Sequence, residues 1–197
     1  LMPELKNSDC SDIWLWGQGK KPTLPHFSSI HKINGSVISA VDLIKGIGKL
    51  SGLNVLNVEG ATGYLDTNYK GKVSAALESL KKDDFCMIHI EAPDETGHEG
   101  DYEKKIQAIC DLDEKVVGPI MEGLKAGHDE YKICIVSDHP TPVDIRTHSY
   151  EYVPYLIFDS RLNKNKHNQN TFSERSANES SLIHDDGHKL LASFIKN

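Results

Sequence analysis

The chain has 197 residues, of which 38% are hydrophobic and 26% are charged, a balance that is ordinary for a folded globular protein with its own core. No apolar run approaches the roughly 18 residues that cross a bilayer, and no signal peptide opens the sequence, so a cytoplasmic location without a membrane partner is expected. The net charge of −7 argues against a nucleic-acid partner, because binding to a phosphate backbone depends on clustered Lys and Arg. Small molecules are the expected partners.

Apolar runs and helical patterns alternate along the chain. Short runs of mainly β-branched residues predict strands, and apolar residues that recur every three or four positions predict helices. The predicted strands cover residues 13–16, 37–40, 54–58, 85–90, 133–136 and 153–158, the predicted helices cover residues 42–50, 68–82, 102–124 and 182–195, and polar loops are predicted at 91–101 and 159–179. This alternation is typical of an α/β fold with a mostly parallel sheet that helices cover on both faces.

The first predicted strand runs into a loop, residues 17–22, that contains two glycines and the adjacent lysines Lys20 and Lys21. A loop of this kind can bring backbone N–H groups and lysine ammonium groups to an anion. A solvated turn is an equally good interpretation, because a single Gly/Lys loop is a weak signal. The later loop at residues 59–67 lacks the Gly-Lys-Ser/Thr ending of a P-loop, so it is expected to shape a pocket.

Two predicted strands end in the same kinds of side chain. Asp94 and His98 follow the strand at 85–90, whereas Asp138, His139 and His148 follow the strand at 133–136. In an open α/β sheet, ligands bind beyond the carboxyl ends of the strands. Carboxylate oxygen with imidazole nitrogen is the ligand set of Zn²⁺, Mn²⁺ or Fe²⁺, and two ions about 4 Å apart could share ligands and hold a phosphoryl group between them.

An ordinary structural role is the alternative for each of these histidines. A single loop histidine is more often a surface or hydrogen-bonded residue than a metal ligand. The joint placement of carboxylates and imidazoles at two successive strand ends favours a metal site. His89 lies inside a predicted strand and is expected to be a packed core residue.

Several motifs resemble one protein family. EAPDETGHEGD, followed by a long helix, and VSDHPTPVDIRTHSYEYVPYLIF closely resemble the archaeal-type, cofactor-independent phosphoglycerate mutases of the alkaline phosphatase superfamily. WLWGQGKKPTLPHF, ISAVDLIKGIGKLSG and VEGATGYLDTNY extend the resemblance from Ile13 to the C-terminus, in the order the family has them. The resemblance implies an alkaline phosphatase-like fold, with a central sheet between layers of helices.

The same resemblance implies a ligand set for two divalent ions. One ion would be held by Asp94, His98 and His148, and the other by the adjacent pair Asp138 and His139. The ions are expected to be Mn²⁺ or Zn²⁺, with Mg²⁺ as a further candidate.

The resemblance also implies that residues 1–197 are the C-terminal portion of a metal-binding phosphatase-like domain. Family members begin with a segment that carries a metal-binding Asp and the nucleophilic Ser, followed by an inserted substrate domain, and no part of this sequence matches those segments. The catalytic serine is therefore expected outside this chain, in the remainder of the same polypeptide. Lys20 and Lys21 are expected on the substrate side of the site.

For the full-length protein, the resemblance implies an isomerase that interconverts 3-phosphoglycerate and 2-phosphoglycerate in glycolysis and gluconeogenesis. The phosphoryl group would pass through a phosphoserine at a two-metal site, and this chain alone would be inactive. Two alternatives stay open. One is a metal-dependent phosphatase, phosphodiesterase or sulfatase of the same superfamily, and the other is a non-catalytic metal-binding module formed by the isolated chain.

Overall fold

A computed structural model describes residues 17–162 and 171–196. In chain order its elements are α1 (Phe27–His31), β1 (Gly35–Ile38), α2 (Asp42–Leu50), β2 (Asn54–Leu56), α3 (Tyr69–Ser79), β3 (Phe85–Ile88), α4 (Ala92–Glu99), α5 (Tyr102–Leu112), a π-helical segment (Asp113–Val117), α6 (Gly118–Gly127), β4 (Lys132–Val136), β5 (Tyr155–Asp159), α7 (Glu174–Ser180) and α8 (Gly187–Lys196). The strand predicted at residues 13–16 lies outside the described residues.

Three strands form a parallel sheet in the order β2-β1-β3. Val37 of β1 lies opposite Val55 of β2 and Met87 of β3. Every residue of β1 is buried, as expected for a central strand. The structure thus confirms the predicted α/β class and its parallel sheet.

Helices cover both faces of β1. On one face, Gly48 of α2 lies so close to Val37 that a Cβ at position 48 would collide with the valine side chain. On the other face, Ile38 is fully buried in a core cluster that contains Val73 of α3 and Ile120 of α6. Successive side chains of a strand point to opposite faces, so Val37 and Ile38 anchor two separate helix layers.

The last two strands depart from the parallel arrangement. β4 and β5 form a separate antiparallel sheet in which Cys134 lies opposite Ile157. Parallel strands need a crossover connection, usually a helix, but residues 137–154 contain only turns and irregular segments. The chain therefore reverses, and β5 runs back along β4.

Two segments that were predicted to be loops contain helices. The loop prediction for residues 91–101 is wrong because α4 occupies most of this segment. Its ends carry ordinary helix signals, with Pro93 in the first turn and Gly100 in the left-handed conformation just after the last residue. Helix α7 begins within the polar stretch 159–179 and ends one residue beyond it, and Ser173 accepts a hydrogen bond at its N-terminus.

The single helix predicted at residues 102–124 is divided into α5, the π-helical segment and α6. Pro119 lies in the first turn of α6. In a regular α-helix its ring would clash with the carbonyl of residue 115, and the wider π-helical turn that precedes it relieves that clash. Within the described residues, no helix is long and apolar enough to span a membrane.

Candidate metal centre

Helix α4 presents Asp94 and His98 on the same face. The two residues are four positions apart, which places their side chains one helical turn from each other. His98 Nε2 lies 3.3 Å from Asp94 Oδ2. Ala92 and Thr96, on the opposite side of the helix, are buried. Burial of that side orients the two candidate ligands away from the core.

The loop between β4 and β5 folds back and brings His148 to α4. The backbone N–H of Arg146 donates to the carbonyl of Pro142 at 2.9 Å, and that of Ser149 donates to the carbonyl of Pro140 at 3.1 Å. These two bonds close the loop on each side of His148.

Close contacts hold this loop against α4. A Cβ at Gly97 would lie 2.5 Å from the carbonyl oxygen of Thr141, so only glycine permits the approach. The ammonium of Lys105 in α5 donates to the carbonyls of Pro93 at 2.6 Å and Thr141 at 3.3 Å. Burial lowers the pKa of Lys105, and the nearby Asp94 carboxylate opposes this shift. Lys105 therefore joins the start of α4 to the loop.

Asp94, His98 and His148 form a compact group. His148 Nε2 lies 3.4 Å from Asp94 Oδ1, and the Nε2 atoms of the two histidines are 3.1 Å apart. One possible ligand atom from each residue lies within 4.8 Å of the others, which is close enough for all three to contact one ion. The carbonyl of Arg146 is 3.0 Å from His98 Nδ1. Because a carbonyl only accepts, Nδ1 carries the hydrogen and Nε2 is left facing the group.

Asp138 and His139 lie directly beside this group. His139 Nε2 is 3.1 Å from Asp138 Oδ2, and the His139 ring packs on the ring of His148 with centroids 3.6 Å apart. The hydroxyl of Thr141 contacts Asp94 Oδ1 and lies 3.4 Å from His139 Nδ1. All five predicted ligands thus lie on one surface, although their role as ligands stays a prediction.

Carboxylates crowd this surface. Oxygen atoms of Glu91, Asp94 and Glu95 lie within 4.8 Å of one another. Burial raises the pKa of the Glu91 carboxyl, an effect that His89 opposes and Asp94 reinforces. A bound cation would relieve the repulsion among these acids. The donor set is therefore chemically suited to a divalent metal ion.

A polar network beneath Glu91 was not predicted. His89, expected to be a packed strand residue, lies just beyond the end of β3, with Nε2 3.2 Å from Glu91 Oε2 and Nδ1 3.1 Å from Ser39 Oγ. Lys72 is 1% exposed, and its ammonium lies 3.5 Å from the carbonyl of His89. Burial lowers the pKa of Lys72, which Glu91 opposes. A lysine at a core-facing position of the α3 helical period is the sequence signal that could have revealed this network.

Lys20 and Lys21 lie in an exposed segment that precedes α1. In the part of the chain that the structure describes, no hydrogen bond or ion pair joins either lysine to the five predicted ligands. Their placement on the substrate side stays a prediction.

The family model that matches this chain is described as the Metalloenzyme superfamily, and it covers residues 3–188. The probable 2,3-bisphosphoglycerate-independent phosphoglycerate mutase of Geobacter sulfurreducens is 47% identical over 185 residues, which is 94% of this chain and 46% of the relative. The 2,3-bisphosphoglycerate-independent phosphoglycerate mutase of Methanosarcina barkeri is 46% identical over 173 residues, which is 87% of this chain and 43% of the relative. The chain thus spans about half the length of the curated relatives it matches.

Two solved structures share the fold. A protein from Pyrococcus horikoshii matches with a TM-score of 0.62 and 32% identity, over 68% of this chain and 35% of its own. The cofactor-independent phosphoglycerate mutase from Thermoplasma acidophilum matches with a TM-score of 0.57 and 25% identity, over 82% of this chain and 36% of its own.

Proposed function

The chain belongs to the metalloenzyme superfamily, and on this premise we propose that it is the C-terminal portion of a 2,3-bisphosphoglycerate-independent phosphoglycerate mutase. The full-length protein would interconvert 3-phosphoglycerate and 2-phosphoglycerate, a step of glycolysis and gluconeogenesis. Relatives with this name at 47% and 46% identity support the proposal. The substrate would be a small phosphorylated carboxylic acid.

The observation that carries the proposal is the meeting of α4 with the β4–β5 loop. Asp94 and His98 come from the helix, and His148 and the pair Asp138 and His139 come from the loop. Two chain segments thus supply carboxylate and imidazole groups to one surface, as a two-ion site for phosphoryl transfer requires.

Asp94, His98 and His148 would hold one divalent ion, and Asp138 and His139 would contribute to a second. The ions, Mn²⁺ or Zn²⁺ with Mg²⁺ as a further candidate, would supply positive charge to the phosphoryl group during its transfer. His98 presents Nε2 because its Nδ1–H donates to a backbone carbonyl.

The site's remaining polar groups orient these side chains. Thr141 donates its hydroxyl hydrogen to Asp94 Oδ1, which fixes the carboxylate between the two histidines. The ammonium of Lys105 donates to the carbonyl of Pro93, next to Asp94, and to the carbonyl of Thr141. Such supporting contacts determine how well a metal site is organised before its ion arrives.

The remainder of the same polypeptide would supply the serine that carries the phosphoryl group between the two hydroxyls of the substrate. Each transfer needs the serine and the substrate held in line with the phosphorus atom. Lys20 and Lys21 would bind the negative charge of the substrate, through ammonium groups that are exposed in this chain.

The direct test is ³¹P NMR on the full-length protein. The protein is first stripped of metal with a chelator and then supplied with Mn²⁺ and 3-phosphoglycerate, without bisphosphoglycerate. We expect 2-phosphoglycerate to accumulate only after the metal is restored, and added bisphosphoglycerate to make no difference. Conversion that survives complete chelation would reject the proposal.

The same spectra test the hydrolase alternative. A phosphatase would release inorganic phosphate, which has its own resonance, and would leave the 2-phosphoglycerate signal absent. Mutase activity predicts that total organic phosphate stays constant while the two isomers reach equilibrium.

A further inference from the structure

Arg146 has a backbone conformation that is unusual for a residue other than glycine. It lies on the β4–β5 loop, two residues before His148, and its φ is 54°. Side chains with a Cβ seldom adopt this left-handed conformation, and such residues cluster where the surrounding structure determines the backbone. Here the N–H of Arg146 donates to the carbonyl of Pro142, which fixes the turn.

This conformation directs the carbonyl of Arg146 at His98. The carbonyl oxygen accepts from Nδ1 of the imidazole at 3.0 Å. The other ring nitrogen, Nε2, then lies 3.3 Å from Asp94 Oδ2 and 3.1 Å from His148 Nε2. One peptide group therefore determines which nitrogen of His98 is available and where it points.

The side chain of Arg146 makes a second contact with the same helix. Its guanidinium lies on Gly100, where a Cβ would be 2.7 Å from Cζ. Gly100 has a φ of 77° and follows the last residue of α4. A cation beside the C-terminus of a helix is favourable, so the guanidinium has a structural role that is separate from the carbonyl.

We propose that Arg146 is a positioning residue of the metal centre, whose left-handed backbone fixes the tautomer and orientation of His98 through its carbonyl. The inference rests on the proposed function in one respect, that Asp94, His98 and His148 bind a metal ion. The backbone of residue 146, rather than its guanidinium, positions the imidazole of His98.

Two substitutions separate backbone from side chain. Arg146→Gly removes the guanidinium but keeps the left-handed conformation accessible. Arg146→Val also removes the guanidinium, and its branched Cβ disfavours the same conformation. In the full-length protein, Mn²⁺ binding is followed by the loss of the free-ion EPR signal during titration. We expect the Mn²⁺ affinity of Arg146→Gly to stay within a few fold of the wild-type affinity. We expect Arg146→Val to bind one Mn²⁺ ion about 10- to 100-fold more weakly than the wild type.

Equal Mn²⁺ affinities for the two variants would overturn the inference, whether both bind tightly or both bind weakly. A second measurement needs no variant at residue 146. In the Zn²⁺-loaded wild type, ¹⁵N NMR should show His98 protonated at Nδ1 and coordinated at Nε2, with the resonance assigned by its loss in His98→Asn. Coordination through Nδ1 would reject the inference even if Arg146→Val does not fold.

These measurements are independent of mutase activity. A wild-type protein without mutase activity, but with the expected difference in Mn²⁺ affinity between Arg146→Gly and Arg146→Val, would reject the proposed reaction and support the role of Arg146.

Discussion

The hydroxyl of Thr141 donates a hydrogen bond to the carboxylate of Asp94, and this bond joins the β4–β5 loop to helix α4 across the candidate metal centre. Thr141 is 5% exposed, so the bond is shielded from water on the threonine side. The same residue supplies a carbonyl to Lys105. The candidate metal centre thus lies at a contact between two residues that are 47 positions apart in sequence.

Replacing Thr141 by Val should weaken metal binding while preserving side-chain shape. The substitution removes the hydrogen bond that orients Asp94, and losses of such supporting contacts cost about 10- to 100-fold in metal affinity. Mn²⁺ titration of the full-length protein measures the effect. Thr147→Val, at an exposed position of the same loop, is the matched control and should bind as the wild type does. Unchanged affinity in Thr141→Val would show that Asp94 needs no such support.

Gly97→Ala should destabilise the protein, although alanine favours helices. The added Cβ would lie 2.5 Å from the Thr141 carbonyl oxygen and 2.9 Å from its Cγ2. We expect a net loss of about 1–3 kcal/mol, as for other overpacked sites, despite a gain of about 1 kcal/mol in helix propensity. Urea unfolding in the presence of a chelator measures this change in the free energy of unfolding without a contribution from bound metal.

Gly46→Ala is the control for that substitution. Gly46 also lies within a helix, α2, but a Cβ there meets no atom within 4 Å. The change should stabilise the protein by about 0.5–1 kcal/mol. If Gly97→Ala and Gly46→Ala shifted the unfolding midpoint in the same direction, close packing of α4 on the loop would not explain the effect of Gly97→Ala on stability.

Much of the fold could be predicted because hydrophobic period and local structure agree. Helix α2 has the predicted bounds, 42–50, and β1 to β5 each overlap a predicted strand. Helix α4 was missed because its buried residues include Ala92, Thr96 and Gly97, which give no apolar period. The cap signals around it were stronger than its hydrophobic pattern.

Other features depend on contacts that a single sequence does not encode locally. The apolar period of α5 predicted a helix, yet Tyr102, Ile106 and Ile109 are 63%, 60% and 51% exposed, so the period did not reveal which residues would be buried. The antiparallel direction of β5 and the left-handed backbone of Arg146 likewise follow from the fold around them. The resemblance to cofactor-independent phosphoglycerate mutases is confirmed by the named relatives.

Acid should destabilise the protein partly through Asp159. Hydrogen bonds from Arg161 hold the pKa of this carboxyl at about 2, below its ordinary value of 3.8. A depressed carboxyl pKa gives stability that is present above pH 3.8 and is lost as the pH falls towards 2. We expect Asp159→Asn to be less stable than the wild type at neutral pH. This difference in stability should shrink as the pH falls from 3.8 to about 2.

Unfolding midpoints measured at a series of pH values test the acid prediction. Asp129→Asn, at an exposed aspartate, is the control and should follow the wild-type curve. A difference between the wild type and Asp159→Asn that stays constant from pH 5 to pH 2 would mean that the Arg161 pair is not the source of the pH dependence.

His98→Ala and Asp138→Ala should each remove a different metal ion. The structure groups His98 with Asp94 and His148, whereas Asp138 contacts His139, so the full-length protein should bind two Mn²⁺ ions and each variant one. The side chains of His98 and Asp138 are 36% and 75% exposed, and surface substitutions change stability by about 0.5 kcal/mol or less. Both variants should therefore fold normally while losing phosphoglycerate isomerisation. His188→Ala, at an exposed histidine on α8, is the control and should retain both ions and the isomerisation activity. Retention of two tightly bound ions by either variant would place the metal ligands elsewhere.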